Sequence, residues 1–165
     1  GKFDEVIDSL PPIDKWHPEL SGVMDMRIKK GGEWWHEGEL IKRDKLTRLF
    51  SSILKKEGHE YFLVTPVEKW KISVEDVPFL APLAQVSKRE GLQVITLMTN
   101  VGDSCELNES NRLITGEGNL PLVDVRGGLL ARLHRNVYYQ LADLAIEDGN
   151  GQYVIESGGV THILG

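Results

Sequence analysis

The sequence lacks the features that mark several large classes of protein. It has a single cysteine, Cys105, so no internal disulfide framework can form, and one thiol fits a reducing compartment. No apolar run approaches the roughly 20 residues that span a bilayer. The first residues also lack the basic-then-apolar pattern of a signal peptide. We therefore expect a cytoplasmic protein with no membrane insertion.

An excess of basic residues is absent as well. The formal net charge is −6 at pH 7, whereas a general nucleic-acid binder normally carries more cations than anions. We therefore expect no DNA or RNA partner. The 165 residues suffice for one domain or two very small ones, and a chain of this size can bury a real core.

Motifs for catalysis and metal binding are missing too. There is no glycine-flanked serine elbow and no phosphate-binding loop. None of the five histidines stands at metal-ligand spacing with another histidine or with Cys105. Residues 148–151 lack the alternating acids of a calcium loop, so a turn is the better interpretation. We predict no metal, no cofactor and no catalytic residue, although a general acid–base site needs only spatial proximity and stays open.

What the sequence does contain is an internal similarity between two of its own stretches. The stretch from Arg43 to Val64 aligns without a gap with the stretch from Arg135 to Glu156, at a constant offset of 92 positions. Two hairpins precede these stretches, one from Met24 to Ile41 and one from Leu120 to His134, and each turns at a Gly-Gly pair. The pattern predicts a duplicated unit.

An amphipathic helix is predicted after each hairpin. The first begins at Asp44 as N-cap and ends at Gly58, and the second begins at Asn136 as N-cap and ends near Gly149. Their inward residues, at helical spacing, are Leu46, Leu49, Phe50, Ile53 and Leu54 in the first helix and Val137, Leu141, Leu144 and Ala145 in the second.

The remaining segments complete the predicted architecture. Strands are expected at residues 61–65, 67–74, 92–99 and 153–155, and loops at Glu75–Val86 and Asn108–Asn119. A short helix is expected over Phe3–Leu10, followed by an extended strap anchored by Trp16. Of the adjacent Trp34 and Trp35, strand alternation places one in the core and the other outside it.

Hairpins dominate this pattern, so the fold class is α+β. We predict two similar small units, each an antiparallel sheet with a helix. The first unit spans residues 1–85 and includes the strap, and the second spans residues 86–165.

One stretch of the acidic chain carries no acid. From Val125 to Ala142 the charged residues are all basic, and Arg135 immediately precedes the second predicted helix, whose free N–H groups attract anions. We predict that a phosphate binds to Arg126, Arg132, Arg135 and the helix start at Asn136, with Tyr138 or Tyr139 stacking on a base. The alternative is that these arginines pair with Asp124, Asp143 or glutamates elsewhere in the fold.

Glu68 is a second candidate. Strand alternation places it on the same face as Trp70 and Ile72, and a carboxylate on an apolar face needs a partner. The expected partner is Arg126 or Arg132 of the other unit, as a structural ion pair or as part of a ligand site.

Several strings resemble one bacterial family, the domain of unknown function family twelve-eighty-five. They are Trp16-His17-Pro18, Met24 to Ile28, Thr65-Pro66-Val67-Glu68-Lys69, Val74 to Phe79 and Thr99-Asn100-Val101-Gly102-Asp103. The resemblance implies a duplicated α+β core, a second unit similar to pleckstrin-homology folds, a nucleotide-like ligand at the interface of the units and a role in signal transduction. It carries over no catalytic residues. The strings at residues 65–69 and 99–103 are the expected interface, with Glu68, Lys69, Asn100 and Asp103 as ligand contacts.

The leading hypothesis is a non-catalytic regulatory domain that binds a small, anionic, nucleotide-like ligand, with a signalling protein as a further expected partner. A second hypothesis is a protein-interaction scaffold without a small ligand, marked by the outer tryptophan of the Trp34–Trp35 pair. A phosphate-ester hydrolase is the least favoured hypothesis, because the sequence has no visible metal set.

Overall fold

A computed structural model of the protein describes residues 10–165. The chain divides into two compact units, Gly1–Pro78 and Phe79–Gly165. The described residues form two α-helices and several small, mostly antiparallel sheets, so the α+β class is confirmed. The predicted helix over Phe3–Leu10 lies outside the described residues, apart from Leu10. Neither described helix is long and apolar enough to cross a membrane.

The first unit is built on one six-stranded sheet. After a short 3-10 turn, its elements are β1 (Gly22–Ile28), β2 (Trp34–His36), β3 (Glu39–Leu40), α1 (Asp44–Ser52), β4 (Leu54–Glu57), β5 (Glu60–Val64) and β6 (Lys69–Val74). The strand order is β3-β2-β1-β6-β5-β4. The central pair, β1 and β6, is parallel, and the other neighbours are antiparallel.

The core of the first unit follows from strand alternation. Met26 and Ile28 of β1 are buried on one face, and Trp34 of β2 is 1% exposed. The Trp34 ring stacks on Phe50 of α1 with a centroid separation of 6.2 Å. Trp35 points to the other face and is half-buried, which confirms the prediction for this pair.

Helix α1 is shorter than predicted, and its start differs. It ends at Ser52 rather than Gly58, because Leu54 begins a strand and pairs with Leu63 of β5. Leu54 is fully buried, so pairing in the sheet outweighs its helical spacing. Asp44 lies in the first turn and is not the N-cap: Arg43 holds that position, with no side-chain capping bond.

The second unit contains three small sheets. Its elements are β7 (Phe79–Ala81), β8 (Leu83–Arg89), β9 (Leu92–Met98), β10 (Ser104–Glu106), β11 (Leu113–Gly116), β12 (Asn119–Arg126), β13 (Leu129–Leu133), α2 (Arg135–Ala142), β14 (Ile146–Glu147), β15 (Tyr153–Ser157) and β16 (Val160–Ile163). The sheets are β10-β9-β8, β11-β12-β13-β7 and β14-β15-β16. Strand β7 is parallel to β13.

Two segments predicted as loops form strands. Residues within Glu75–Val86 provide β7 and the start of β8, and residues within Asn108–Asn119 provide β11. The units therefore divide after Pro78, before the predicted boundary between residues 85 and 86. The reason is that β7 pairs with β13 and β8 pairs with β9, both in the second unit.

Helix α2 is anchored as predicted but capped differently. Val137 and Leu141 are buried, whereas Leu144 lies beyond the helix and is exposed. The N-cap is His134 rather than Asn136, because the Nδ1 atom of His134 accepts a hydrogen bond of 3.1 Å from the Asn136 backbone N–H. The helix ends at Ala142, well before Gly149.

Ser157 links β15 to two other segments of the second unit. Its buried Oγ accepts a hydrogen bond of 2.8 Å from the Ile95 N–H and donates one of 2.7 Å to the Leu107 carbonyl. The next residue, Gly158, has φ +61°, and a Cβ there would lie 2.8 Å from the Leu107 carbonyl oxygen. Glycine is therefore required where this backbone approaches so closely.

His162 is the buried titratable group of this region. Its Nε2 lies 3.2 Å from the Ser157 carbonyl, and burial lowers its pKa below the ordinary value of 6.5, with Arg112 adding to the effect. Because the folded pKa is depressed, the unfolded chain takes up this proton more readily. The stability contribution of neutral His162 is present above pH 6.5 and is lost as the pH falls through the folded pKa.

We therefore expect the free energy of unfolding to fall between about pH 7.5 and pH 5.5, and to fall less in a His162→Gln variant. Urea unfolding at both pH values measures the two differences. The comparison uses the change with pH in each protein, so a uniform loss of stability in the variant does not affect it. An equal change in the two proteins contradicts the assignment to His162.

Candidate functional site

Two of the predicted ligand residues bind each other. The Nη2 atom of Arg126 lies 3.1 Å from Oδ2 of Asp103, and their side chains are only 17% and 20% exposed. The Arg126 guanidinium also lies 5.2 Å from the centre of the Phe79 ring. Arg126 thus has an acidic partner within the fold, Asp103. The alternative in the sequence analysis named Asp124, Asp143 or glutamates elsewhere in the fold as partners of the arginines.

Two other predicted ligand residues, Arg132 and Asn100, form hydrogen bonds to backbone groups of the second unit. The Nη1 atom of Arg132 donates a hydrogen bond of 2.7 Å to the Leu120 carbonyl. The Oδ1 atom of Asn100 accepts from the Leu80 N–H at 3.0 Å, and the Asn100 N–H donates to the Leu80 carbonyl at 3.0 Å. Both side chains therefore form hydrogen bonds within the second unit.

The two strings expected at an interface build turns. Thr65 Oγ1 accepts hydrogen bonds from the backbone N–H groups of Val67 and Glu68, at 3.3 and 2.9 Å. Thr99 Oγ1 likewise accepts from the N–H groups of Val101 and Asp103, at 3.4 and 3.1 Å. Threonine hydroxyls that bond backbone groups a few residues ahead are a turn signal in the sequence itself.

The residues that follow Thr65 differ from their predicted setting. Glu68 is exposed and lies in the turn before β6, not on the apolar face of a strand, so the expected cost of burying its carboxylate does not arise. The Lys69 ammonium lies 2.7 Å from Glu57 and 4.3 Å from the Phe62 ring centre. The hydrogen bond from Lys69 lowers the pKa of the Glu57 carboxyl.

Cys105 is unsuited to nucleophilic chemistry. It is buried, and burial, with the nearby carboxylates of Asp124, Asp103 and Glu106 adding to it, raises the pKa of the thiol to about 11. The thiol therefore stays protonated at neutral pH. Within residues 10–165, no group of three His, Cys, Asp or Glu side chains is placed to hold a metal ion.

Two of the remaining predicted residues, Arg135 and Tyr138, line a cleft in the second unit, which we call the Arg135 cleft, whereas Asn136 and Tyr139 are not among its walls. Its volume is about 350 Å³, and its walls include Arg135 and Tyr138 of α2, Thr115 and Asn119 of the β11–β12 hairpin, and Leu164. Gly116 and Gly118 also line it, and an ideal Cβ at either glycine would meet open space. A small side chain at either position would therefore meet no other atom of the protein.

Arg135 differs from Arg126 and Arg132 in its surroundings. It is exposed at the first turn of α2 and makes no ion pair within the described part of the chain. Tyr138, one helical turn later, lies on the same side of α2. Tyr139 is exposed, with its ring centre 6.2 Å from that of Tyr138. His134 already accepts the hydrogen bond of the Asn136 N–H, so one donor at the start of α2 is occupied.

A smaller cleft of about 240 Å³ lies on the first unit. Trp35, Arg27, Lys29, Asp25 and Gly38 line it. The Lys29 ammonium sits 4.0 Å from the centre of the Trp35 ring. The outer tryptophan of the pair therefore forms one wall of this cleft.

Comparison with known protein families covers nearly the whole chain. The N-terminal model of a domain of unknown function (DUF1285) matches residues 11–77, and the C-terminal model of the same family matches residues 78–164. The chain belongs to the DUF1285 family. Membership confirms the resemblance carried by the sequence strings, and the family description records no function.

Solved structures of DUF1285 family proteins are similar to this chain. A protein from Silicibacter pomeroyi DSS-3 is 41% identical, and the match covers 94% of this chain and 87% of that one, with a TM-score of 0.85. A protein from Shewanella baltica OS155 is 27% identical over 73% of this chain and 92% of its own, with a TM-score of 0.61. No curated protein matches the chain.

Sequence reasoning missed one side of the Arg135 cleft. Thr115 and Asn119 belong to a segment predicted as a loop, and the structure places them in the β11–β12 hairpin opposite α2. The glycines at 116 and 118 were the available signal, because glycines between apolar residues favour a hairpin turn.

Proposed function

We propose that this DUF1285 protein binds a small, anionic, nucleotide-like ligand in the Arg135 cleft. The single observation that carries the proposal is that Arg135 lines this cleft and makes no ion pair within residues 10–165. A guanidinium without a carboxylate partner is suited to a phosphate, which it can bind through two parallel hydrogen bonds.

The other walls are consistent with a nucleotide-like molecule. Tyr138 offers a ring for stacking and a hydroxyl group, and Asn119 and Thr115 offer polar groups for a sugar or base. The volume of about 350 Å³ falls within the range of small-molecule sites, roughly 300–1,000 Å³. We assign no ligand contact to Arg126, Asp103, Lys69 or Asn100, because their contacts lie within the fold.

Regulation, rather than catalysis, is the role we propose for the bound ligand, in a cytoplasmic signalling setting. We also propose that the two units arose by duplication, with the second related to pleckstrin-homology folds. Support comes from the shared order of a hairpin, a helix and further antiparallel strands in both units. The sheets have since diverged, because the first unit has one six-stranded sheet and the second has three small ones.

A thermal-shift screen against nucleotides and signalling dinucleotides tests the ligand. At 100 times its dissociation constant, a ligand adds about 2.7 kcal/mol to the stability of the folded protein, which corresponds to a rise in melting temperature on the order of 5–10 °C. In Arg135→Glu the same ligand is expected to bind at least about tenfold more weakly, because a charge-assisted hydrogen bond is replaced by repulsion.

Arg43→Glu is the matched control. Arg43 aligns with Arg135 in the internal similarity and stands at the start of α1, in the other unit. Reversing the charge of Arg43 should therefore leave the ligand affinity unchanged. Equal affinity in wild type and Arg135→Glu contradicts the site. No shift with any nucleotide contradicts the ligand class and favours the protein-interaction hypothesis, whose candidate surface is the cleft beside Trp35.

A further inference from the structure

Helix α1 buries little of its apolar side. Its apolar residues recur at helical spacing, yet Leu46 is 37% exposed and Leu49 is 58% exposed, and Ser51 is its one fully buried residue. Helix α2, at the matching place in the second unit, buries both Val137 and Leu141. Exposed leucines on a short helix cost solvation free energy that a partner would recover.

Several cations lie close to these leucines in the sequence. Lys42, Arg43, Lys45 and Arg48 lie within seven positions, with Asp44 as the single acid among them, in a chain whose net charge is −6. Lys42 and Arg43, at the start of the helix, are exposed and make no ion pair within residues 10–165. Arg48 is two positions from Leu46 and one from Leu49, so it points away from the leucines. We call Leu46 and Leu49, together with Lys42 and Arg43, the α1 surface.

We propose that the α1 surface docks an acidic amphipathic segment of a partner protein. Apolar side chains of that segment contact Leu46 and Leu49, and its carboxylates pair with Lys42 and Arg43. Charge complementarity is the reason for an acidic partner, since the local positive charge stands out against an acidic chain. The helix is already folded, so it loses little conformational freedom on binding.

A protein segment fits this surface better than an anionic membrane does. Helices that lie in a membrane interface insert a broad apolar face, whereas α1 has 9 residues and two exposed leucines. The net charge of −6 also repels an anionic bilayer over distances beyond the helix itself. Two helices packed side by side need only a short seam of apolar contact flanked by charge pairs.

The test uses the full chain and a fluorescein-labelled helical peptide with leucine at helical spacing and glutamate at the other positions. Fluorescence anisotropy should show saturable binding that weakens as the ionic strength rises from about 0.05 to about 0.5 M, because exposed ion pairs are screened. Hydrogen exchange with the peptide bound should show added protection over Asp44–Ser52.

Variants of the protein distinguish specific binding at the α1 surface from nonspecific binding. Replacing Leu46 and Leu49 with serine should weaken binding roughly tenfold or more, since each buried leucine contributes strongly. Arg43→Glu should weaken it by a similar factor. Leu92→Ser is the matched control, because Leu92 is 57% exposed and lies in the second unit, and it should leave the affinity unchanged.

Several outcomes overturn the proposal. They are no saturable binding, equal binding to a peptide with lysine in place of glutamate, or equal loss of affinity in Leu92→Ser. Vesicles of phosphatidylcholine with phosphatidylserine test whether the surface binds a membrane instead. If the protein sediments with these vesicles and the double leucine variant does not, the surface binds a membrane and the proposal of a protein partner is wrong.

Discussion

Replacing Trp34 with alanine is expected to lower the free energy of unfolding of the first unit by about 3–5 kcal/mol. Trp34 is 1% exposed and stacks on Phe50, so its removal leaves a large cavity between β2 and α1. The stacking contact between Trp34 and Phe50 of α1 is lost with it. The four tryptophans, at positions 16, 34, 35 and 70, all lie in the first unit, so tryptophan fluorescence in urea follows the unfolding of that unit.

Trp35→Ala is the control for this experiment. It removes the same side chain one position later in the same strand, but Trp35 is half-buried and lines a cleft open to solvent. Its removal should destabilise the unit by clearly less, because no enclosed cavity forms. If the two variants lose the same stability, the assignment of Trp34 to the core side of the sheet is wrong.

Ser157→Ala is expected to lower the free energy of unfolding by about 2–5 kcal/mol, although it removes a single oxygen atom. The hydroxyl group accepts from the Ile95 N–H and donates to the Leu107 carbonyl, and all three residues are fully buried. Alanine would leave one donor and one acceptor without a partner and without access to water. Urea unfolding followed by circular dichroism measures the loss.

Ser87→Ala provides the comparison in the same unit. Ser87 is exposed on β8, and its Oγ lies 3.5 Å from the Val94 carbonyl, so water can replace that contact. We expect a change within about 0.5 kcal/mol. A small effect at Ser157 as well would mean that the link from β15 to Ile95 and Leu107 contributes little to the fold.

Strand alternation and glycine turns were reliable guides to the fold. They predicted both Gly-Gly hairpins, the opposite faces of Trp34 and Trp35, and the burial of Val137 and Leu141. These patterns act between neighbours along the chain, so they can be read without knowing the tertiary structure. Strands β7 and β11 escaped prediction because they are short and are stabilised by pairing with β13 and β12, which no local pattern reveals.

The predicted helix boundaries were wrong for a related reason. Leu54 has the spacing of a helical residue, but it is buried in β4 opposite Leu63. Asp44 and Asn136 are good N-cap residue types, yet the caps are Arg43 and His134. Propensity is a weak preference, and a buried strand pair or an available imidazole nitrogen outweighs it.

The candidate site was predictable only in part. The acid-free stretch from Val125 to Ala142 pointed to three arginines, and one of them, Arg135, lines a cleft with Tyr138. The sequence could not separate Arg135 from Arg126, because the ion pair with Asp103 joins residues 23 positions apart. Composition alone cannot show which cation has a partner.

By itself the sequence determined the class of this protein: an acidic α+β chain, with one cysteine, an internal similarity and the sequence strings of the DUF1285 family. Composition, turn residues and alternation decide these properties locally. The tertiary structure decided which charges are engaged and which helix is buried. It places Arg126 against Asp103, leaves Arg135 in an open cleft, and exposes Leu49 of α1 while burying Leu141 of α2. Burial and pairing depend on contacts between residues distant in the chain, and those contacts exist only in the folded molecule.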